Sequence, residues 1–416
     1  MPKTQIKSMY ADIISWDNIC NAYLDLYYSF TEKNKGFSYQ AVDGQTLYEI
    51  EADVEDILQE AQKELMEMSP LHPAKFVEIP KKGGGLRGIY MLPVKERIKC
   101  QAIFRVIEPY FEERYSDHLY SFRSTKPSYY ASRAVRRCYL RNFNKKKMYV
   151  LKMDFHKYSD FHNHEYLLKI LKDSGLEEPV IKLVKLFMRQ PFIKNSTMMS
   201  LCTGTMQGMN LCPLFNNIYV GDMDEYLGKS AHFYRRVGDD FIMFDDDKDK
   251  LLKMKEYVEN KAKAAKLVIN DDKTILASIK DDFDFLGLQY HEGIVSFPEK
   301  SLKNIVAAWK KRLHYNEKLS INGKKAKLKR FLTNDKRLNR NDERENFMHY
   351  VRSYNLVTDT NQVQKLSKRL FHLLTKFFTG STTYKNMAKT KKILKNSPFP
   401  SFTKLHYLYT HGKSTR

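Results

Sequence analysis

The 416-residue sequence predicts an α+β fold. Short apolar runs with strand character, Met148–Met153, Phe233–Val237 and Phe241–Phe244, end at charged residues or glycine. Helical periodicity marks Leu47–Met68 and the series Leu366, Leu370, Leu373, Leu374 and Phe377. Glycines at Gly83–Gly85 and Gly238 supply the hairpins between strands. A chain of this length carries two or three domains by the usual size relation.

In chain order, the aromatic-rich stretch Ile13–Phe30 and the periodic stretch Leu47–Met68, which closes at Ser69-Pro70, read as helices packed behind the strands beyond them. Ile79–Tyr90 reads as two short strands joined by a glycine turn. That turn places Lys81 and Arg87 on one flap, where both can clamp a triphosphate. The run Met148–Met153 ends at Asp154, and a second pair of acids, Asp239-Asp240, follows Gly238 at a predicted hairpin tip. Adjacent carboxylates repel each other and add little to a fold, but they suit divalent cations. With the two strands side by side, Asp154 and Asp239 can hold two hard cations about 3.5–4 Å apart, the arrangement of two-metal phosphoryl transfer. Asp245–Asp247, Asp271-Asp272 and Asp281-Asp282 lack the apolar flanks on both sides and read as plain polar turns.

Gly204–Tyr219 combines a glycine loop, Gln207 and a helix opened by Pro213. Its glycines allow close approach to a base pair, and Gln207 can bond sugar or base edges without adding charge. Of the chain's net charge of +22, +21 lies in residues 297–416, which hold 28 basic and seven acidic residues. Such a segment neutralises many phosphates, and its apolar periodicity predicts that it folds. One cluster in it is Lys324, Lys325, Lys327, Lys329 and Arg330. Five cysteines, an odd count with no metal-ligand spacing, favour reduced thiols and a cytoplasmic setting. Neither a signal peptide nor a membrane-spanning run is expected.

Taken together, these segments resemble the bacterial reverse transcriptases of the group II intron, retron and diversity-generating type, and most of all a stand-alone, defence-associated enzyme. The resemblance covers roughly residues 76–297, in order. Pro80-Lys81 through Arg87 is similar to the first fingers motif, and Lys95–Ile98 with Ser121–Arg123 to the second. Lys152–His164 is similar to the first palm motif, Gly204–Tyr219 to the Gln-Gly motif, and Val237–Asp240 to the Tyr-X-Asp-Asp box. Lys273-Thr274 and Phe285–Leu288 follow as the next palm motif and the primer grip.

The resemblance implies a right-hand polymerase: an N-terminal helical extension over 1–75, fingers and palm with an antiparallel sheet over 76–296, and a basic helical thumb over 297–416. It implies an RNA-directed DNA polymerase with Asp154, Asp239 and Asp240 as catalytic metal ligands for two Mg2+ ions, Mn2+ being the alternative. It further implies nucleotide contacts at Lys81, Arg87, Phe155, Ser159 and Gln207, a candidate proton donor in Lys273, and a primer grip at Phe285, Leu286 and Gly287. Partners would be a structured, non-coding RNA template, deoxynucleoside triphosphates and a primer, with no membrane. The role by analogy is defence against phage. No segment resembles an integrase, a His-Asn-His nuclease or an RNase H.

Two departures stand out. Where the family carries an aromatic gate against the 2′-hydroxyl, five residues after the first catalytic Asp, this chain has Ser159, with Tyr158 and Phe161 as neighbours. The Val237-Gly238 lead-in resembles viral RNA-dependent RNA polymerases, which keeps RNA synthesis, or relaxed sugar selectivity, as an alternative reading. A catalytically idle RNA-binding scaffold is the second alternative. His156, His162 and His164 read as packing or capping residues of the palm segment.

Overall fold

Side-chain alternation along Phe233–Asp245 turns one row inward and forces a reversal at Gly238. In the computed structural model, which describes residues 8–31, 53–80, 85–314, 318–332 and 356–395, this segment is a hairpin. Its strands are numbered with the rest in chain order: β6 (Phe233–Val237) pairs antiparallel with β7 (Asp240–Asp245), with Val237 opposite Asp240. Only Gly238 and Asp239 form the loop, and Gly238 has φ +67°, the left-handed region that glycine enters without strain. β7 lies between β6 and β3 (Tyr149–Asp154). Nearly every residue of β7 and β3 is buried, as expected for strands covered on both faces.

Two compact units form, one from residues 1–128 and 151–275, the other from 129–150 and 276–416. In the first, a second sheet has the order β2-β1-β4-β5. Its strands are β1 (Ala74–Pro80), β2 (Leu86–Met91), β4 (Pro191–Lys194) and β5 (Thr197–Ser200). β1 and β2 are antiparallel with Ile79 opposite Arg87. Phe76, Tyr90 and Phe192 cluster on this sheet, with ring centroids 5.0–6.2 Å apart. Gly88 makes room for them, since a Cβ there would lie 2.4 Å from the Phe76 ring.

In the same unit, α3 (Val54–Glu67) and α4 (Val94–Glu112) pack together. An ion network joins them: Lys95 and Lys99 each reach Glu64 at 2.6 Å, Lys99 reaches Glu96 at 2.8 Å, and His72 bonds Glu96 at 2.8 Å. Glu96 and Lys99 are buried, so each requires the other's charge.

The second unit is built around aromatic packing. Tyr139, on α5 (Ser128–Asn142), meets Phe283 and Tyr290 at 5.7 and 5.1 Å, and those two rings stack at 4.7 Å. Phe283 and Tyr290 belong to β9 (Phe283–Phe285) and β10 (Leu288–His291), which form a sheet with β11 (Ile294–Ser296). Four helices complete the described part: α11 (Glu299–Arg312), α12 (Ile321–Leu332), α13 (Thr360–Thr379) and α14 (Tyr384–Lys395). Gln362 ties α13 to the end of β11 by accepting from the Phe297 amide at 2.8 Å and donating to its carbonyl at 2.9 Å.

One expectation about the basic cluster needs correction. Lys324 is buried, and its ammonium donates to the Phe378 carbonyl at 3.2 Å. The α12 register turns this position toward α13, so Lys324 serves the helix pair instead of a phosphate. Lys325 and Lys327 stay partly exposed, with the Lys327 ammonium 5.8 Å from the Phe377 ring centre. The side chains of Lys329 and Arg330 lie outside the described residues. Among the described residues, no helix is long and apolar enough to cross a membrane.

Candidate active site

Asp154 ends β3, and Asp239 and Asp240 close the β6–β7 hairpin. Because β3 and β7 are neighbours, one ligand oxygen from each of the three acids falls within 4.8 Å of the others. The crowding registers in their protonation. Burial, then the charge of Asp154, raises the Asp239 carboxyl above the usual range. Burial, then Asp154 and Asp239, pushes Asp240 up to about 7.

Asp154 Oδ2 accepts from Lys273 Nζ at 2.7 Å and from Asn270 Nδ2 at 3.0 Å. Its Oδ1 is buried and, among the described residues, has no hydrogen-bond donor. An orphaned buried oxygen on a carboxylate that clusters with two others fits a hard divalent cation, which would supply the missing partner and offset the mutual repulsion. The set Glu64, His72 and Glu96 also clusters within ligand distance, but Lys95 and Lys99 already neutralise it.

Behind the acids stands Arg236, a fully buried cation on β6. It makes a two-pronged pair with Asp224 at 2.7 and 2.6 Å and also donates to the carbonyls of Asn217 (2.8 Å), Gly238 (3.0 Å) and Asn216 (3.2 Å). Burial opposes its charge, yet Asp224 outweighs that and holds the Arg236 pKa above its ordinary value. Tyr234 adds a hydrogen bond to Asp224 at 2.6 Å. Sequence reasoning missed Arg236, Asp224 and Asn270. The available signal for Arg236 was an arginine on the same inward row of β6 as Tyr234.

The glycine loop is placed differently from its sequence-level interpretation. A Cβ at Gly204 would lie 2.7 Å from the Asp160 carbonyl oxygen, and one at Gly208 2.6 Å from that of Tyr90. The close approaches are therefore to the protein's own backbone at the Ser159-Asp160 turn and β2, not to a base pair. Gln207 is half-exposed and donates to Asp160 Oδ1 at 3.2 Å, while its carbonyl accepts from the Tyr90 amide at 2.8 Å.

The Phe155 ring is buried and stacks on Tyr158 at 5.2 Å, so that side chain belongs to the core. Ser159 is half-buried and donates to Asn216 Oδ1 at 2.9 Å. Arg87 is exposed on β2 without an ion pair among the described residues, and Lys81 falls outside them. Phe285, Leu286 and Gly287 belong to the other unit. Phe285 is buried there, and Leu286 and Gly287 have φ +49° and +76° in the turn between β9 and β10.

His162 and His164 pack, whereas His156 is exposed. His162 is buried and stacked 4.2 Å from the Tyr219 ring, and burial pushes its pKa down to about 3. His164 bonds the Gly204 carbonyl at 2.8 Å. Two of the other acid runs have local partners: Asp245 pairs with Lys250, Asp247 caps α10 (Lys248–Ala264), and Asp281 accepts from the Ser278 amide.

Residues 79–290 match the family described as reverse transcriptase (RNA-dependent DNA polymerase). Among curated proteins, Protein YkfC of Escherichia coli is 25% identical over 334 residues, 68% of this chain and 87% of that one. A putative COX1/OXI3 intron 2 protein of Saccharomyces cerevisiae is 25% identical over 161 residues, 38% of this chain but only 18% of its own length. Among solved structures, a telomerase from Candida albicans in complex with a fragment of telomeric RNA covers 88% of this chain and 69% of its own at 14% identity and a TM-score of 0.45. At that score the likeness adds no weight to the family match. Since the matched residues make up just over half of the chain and include all three clustered acids, the chain belongs to the reverse transcriptase family, the RNA-directed DNA polymerases, which are nucleotidyltransferases.

Proposed function

We propose that Asp154, Asp239 and Asp240 hold two Mg2+ ions and that the protein extends a primer with deoxynucleotides along a partner RNA. The observation that carries this reading is the three-carboxylate cluster with Asp154 Oδ1 buried and unbonded. When bound, such ions lower the pKa of the attacking 3′-hydroxyl and neutralise charge on the leaving pyrophosphate. The chain's own part is positioning. Lys273 balances the charge of Asp154 and is the candidate proton donor to the leaving group. Arg87, with Lys81, binds the triphosphate from the β1–β2 flap, Ser159 and Gln207 face the nucleotide, and Phe155 supports that turn from the core. Phe285, Leu286 and Gly287 are the proposed primer grip of a unit that otherwise carries the basic thumb.

The finer reading is a stand-alone bacterial enzyme in the cytoplasm that copies a structured non-coding RNA in defence against phage. Family resemblance alone supports it. Plaque counts on cells carrying the wild type or Asp239→Asn test the defence role, and equal counts overturn it.

For the chemistry, primer extension on an RNA template with Mg2+ is the test. Asp154→Asn and Asp239→Asn are expected to abolish extension while RNA affinity changes little, because phosphate binding rests on other residues. Robust extension by either variant overturns the assignment.

A further inference from the structure

Resting on that polymerase reading, we propose that Ser159 and Asn216 together recognise the ribose 2′-hydroxyl of the incoming nucleotide, making ribonucleoside triphosphates true substrates alongside deoxynucleotides. A serine in place of an aromatic gate would by itself only remove an obstacle. The structure adds a partner. Ser159 Oγ donates to Asn216 Oδ1 at 2.9 Å, and both side chains are half-exposed. The Asn216 side-chain nitrogen makes no hydrogen bond among the described residues, so a donor remains free beside the Ser159 hydroxyl oxygen, which can still accept.

The main chain under this pair is fixed. The Asn216 carbonyl accepts from the Tyr158 hydroxyl at 2.9 Å and from Arg236 Nη1 at 3.2 Å. The same Arg236 nitrogen donates at 3.0 Å to the Gly238 carbonyl, directly before Asp239. One guanidinium nitrogen thus links the asparagine to the turn that presents the acids. The Ser159 carbonyl accepts from the Thr205 amide at 2.8 Å. With both main-chain carbonyls held by hydrogen bonds, the half-exposed Asn216 amide and the Ser159 hydroxyl, which also lies within reach of the Cys212 thiol, are placed to meet a ligand.

Tyr158 does not take over as a gate. Tyr158 is buried against Phe155, and its hydroxyl is committed to Asn216, so turning it outward would break both contacts. Phe161 is exposed beside the His156 ring, 6.2 Å between centroids, and a wild type that excludes ribonucleotides would assign the gate to it.

Bulk excludes a hydroxyl, whereas a hydrogen-bonding pair rewards one. Because Ser159 and Asn216 also satisfy each other and touch solvent, a deoxynucleotide leaves little unpaired, and both sugar classes should be used.

The test is single-nucleotide primer extension with ribo- and deoxyribonucleoside triphosphates, on RNA and DNA templates, for the wild type, Asn216→Ala and Asn216→Ser. The wild type is expected to use the two sugars with kcat/KM within about tenfold of each other, against the powers of ten that a shaped site can impose. Asn216→Ala should lower ribonucleotide use by about 10–100-fold and deoxynucleotide use by a smaller factor, shifting the ratio, while Asn216→Ser recovers part of the loss. A wild-type preference for deoxynucleotides of about a thousandfold or more, or an unshifted ratio in a folded Asn216→Ala protein, overturns the inference and leaves the polymerase reading standing. If Asn216→Ala does not fold, the wild-type ratio and Asn216→Ser decide. No extension by the wild type with either sugar overturns the polymerase reading itself.

Discussion

Asp240 shows how much a single carboxyl can report. Its pKa of about 7 has its first cause in burial and its second in the charges of Asp154 and Asp239. A carboxyl that is harder to ionise in the folded chain contributes stability that is complete below its unfolded value and lost as the pH climbs through the folded one. In EDTA, the melting temperature of the wild type should therefore fall relative to Asp240→Asn between about pH 4 and pH 7, and Mg2+ should close the gap by compensating the charge. Thermal melts of both proteins with and without metal check this, and a gap independent of pH would overturn it. At this scale the three acids were legible because each follows an apolar run. Asn270 was not, because it precedes acids that read as a polar turn and meets Asp154 only through folding, 116 residues away in sequence.

At the scale of elements, strands were read more accurately than the loops between them. The runs at 148–153, 233–237 and 241–244 coincide with β3, β6 and β7 because strand alternation and apolar content are local properties. The glycines of the 204–208 loop were visible, but what they approach depends on which backbone lies opposite, and that is tertiary information. Arg236 is the sharper case, since a buried arginine is intelligible only once Asp224 is in place. Replacing one member leaves the other's charge buried and uncompensated, a loss of about 3–5 kcal/mol. Asp224→Asn and Arg236→Leu should each lower the unfolding midpoint in urea by that equivalent, with the double variant recovering part of it. Additive losses in the double-mutant cycle would show that the two do not act as a pair.

Over the whole molecule, the charge count located a basic region but did not distinguish buried cations from exposed ones. Lys99, Arg236 and Lys324 are all buried, and each is held by a carboxylate or a carbonyl. If residues 297–416 grip RNA, Lys325→Ala and Lys327→Ala should flatten the slope of log affinity against log salt by about 0.7–0.9 for each phosphate no longer neutralised. Lys324→Ala should leave that slope unchanged and lower the melting temperature instead. Filter binding across a salt series, beside thermal melts, separates the two, and a slope change for Lys324→Ala would reverse this division.

The Arg236 anchorage also bears on how the protein loses its activity. One side chain fastens Asn216, Asn217 and Gly238 to Asp224, while the Arg236 main chain exchanges hydrogen bonds with His118 and Tyr120. The acid hairpin therefore cannot fray alone, because loosening it strands a cation in a dry interior. Heating should produce no inactive but folded intermediate. Metal-dependent synthesis and secondary structure of the first unit would vanish as one cooperative event, and the temperature limit of the enzyme would be the melting point of its scaffold.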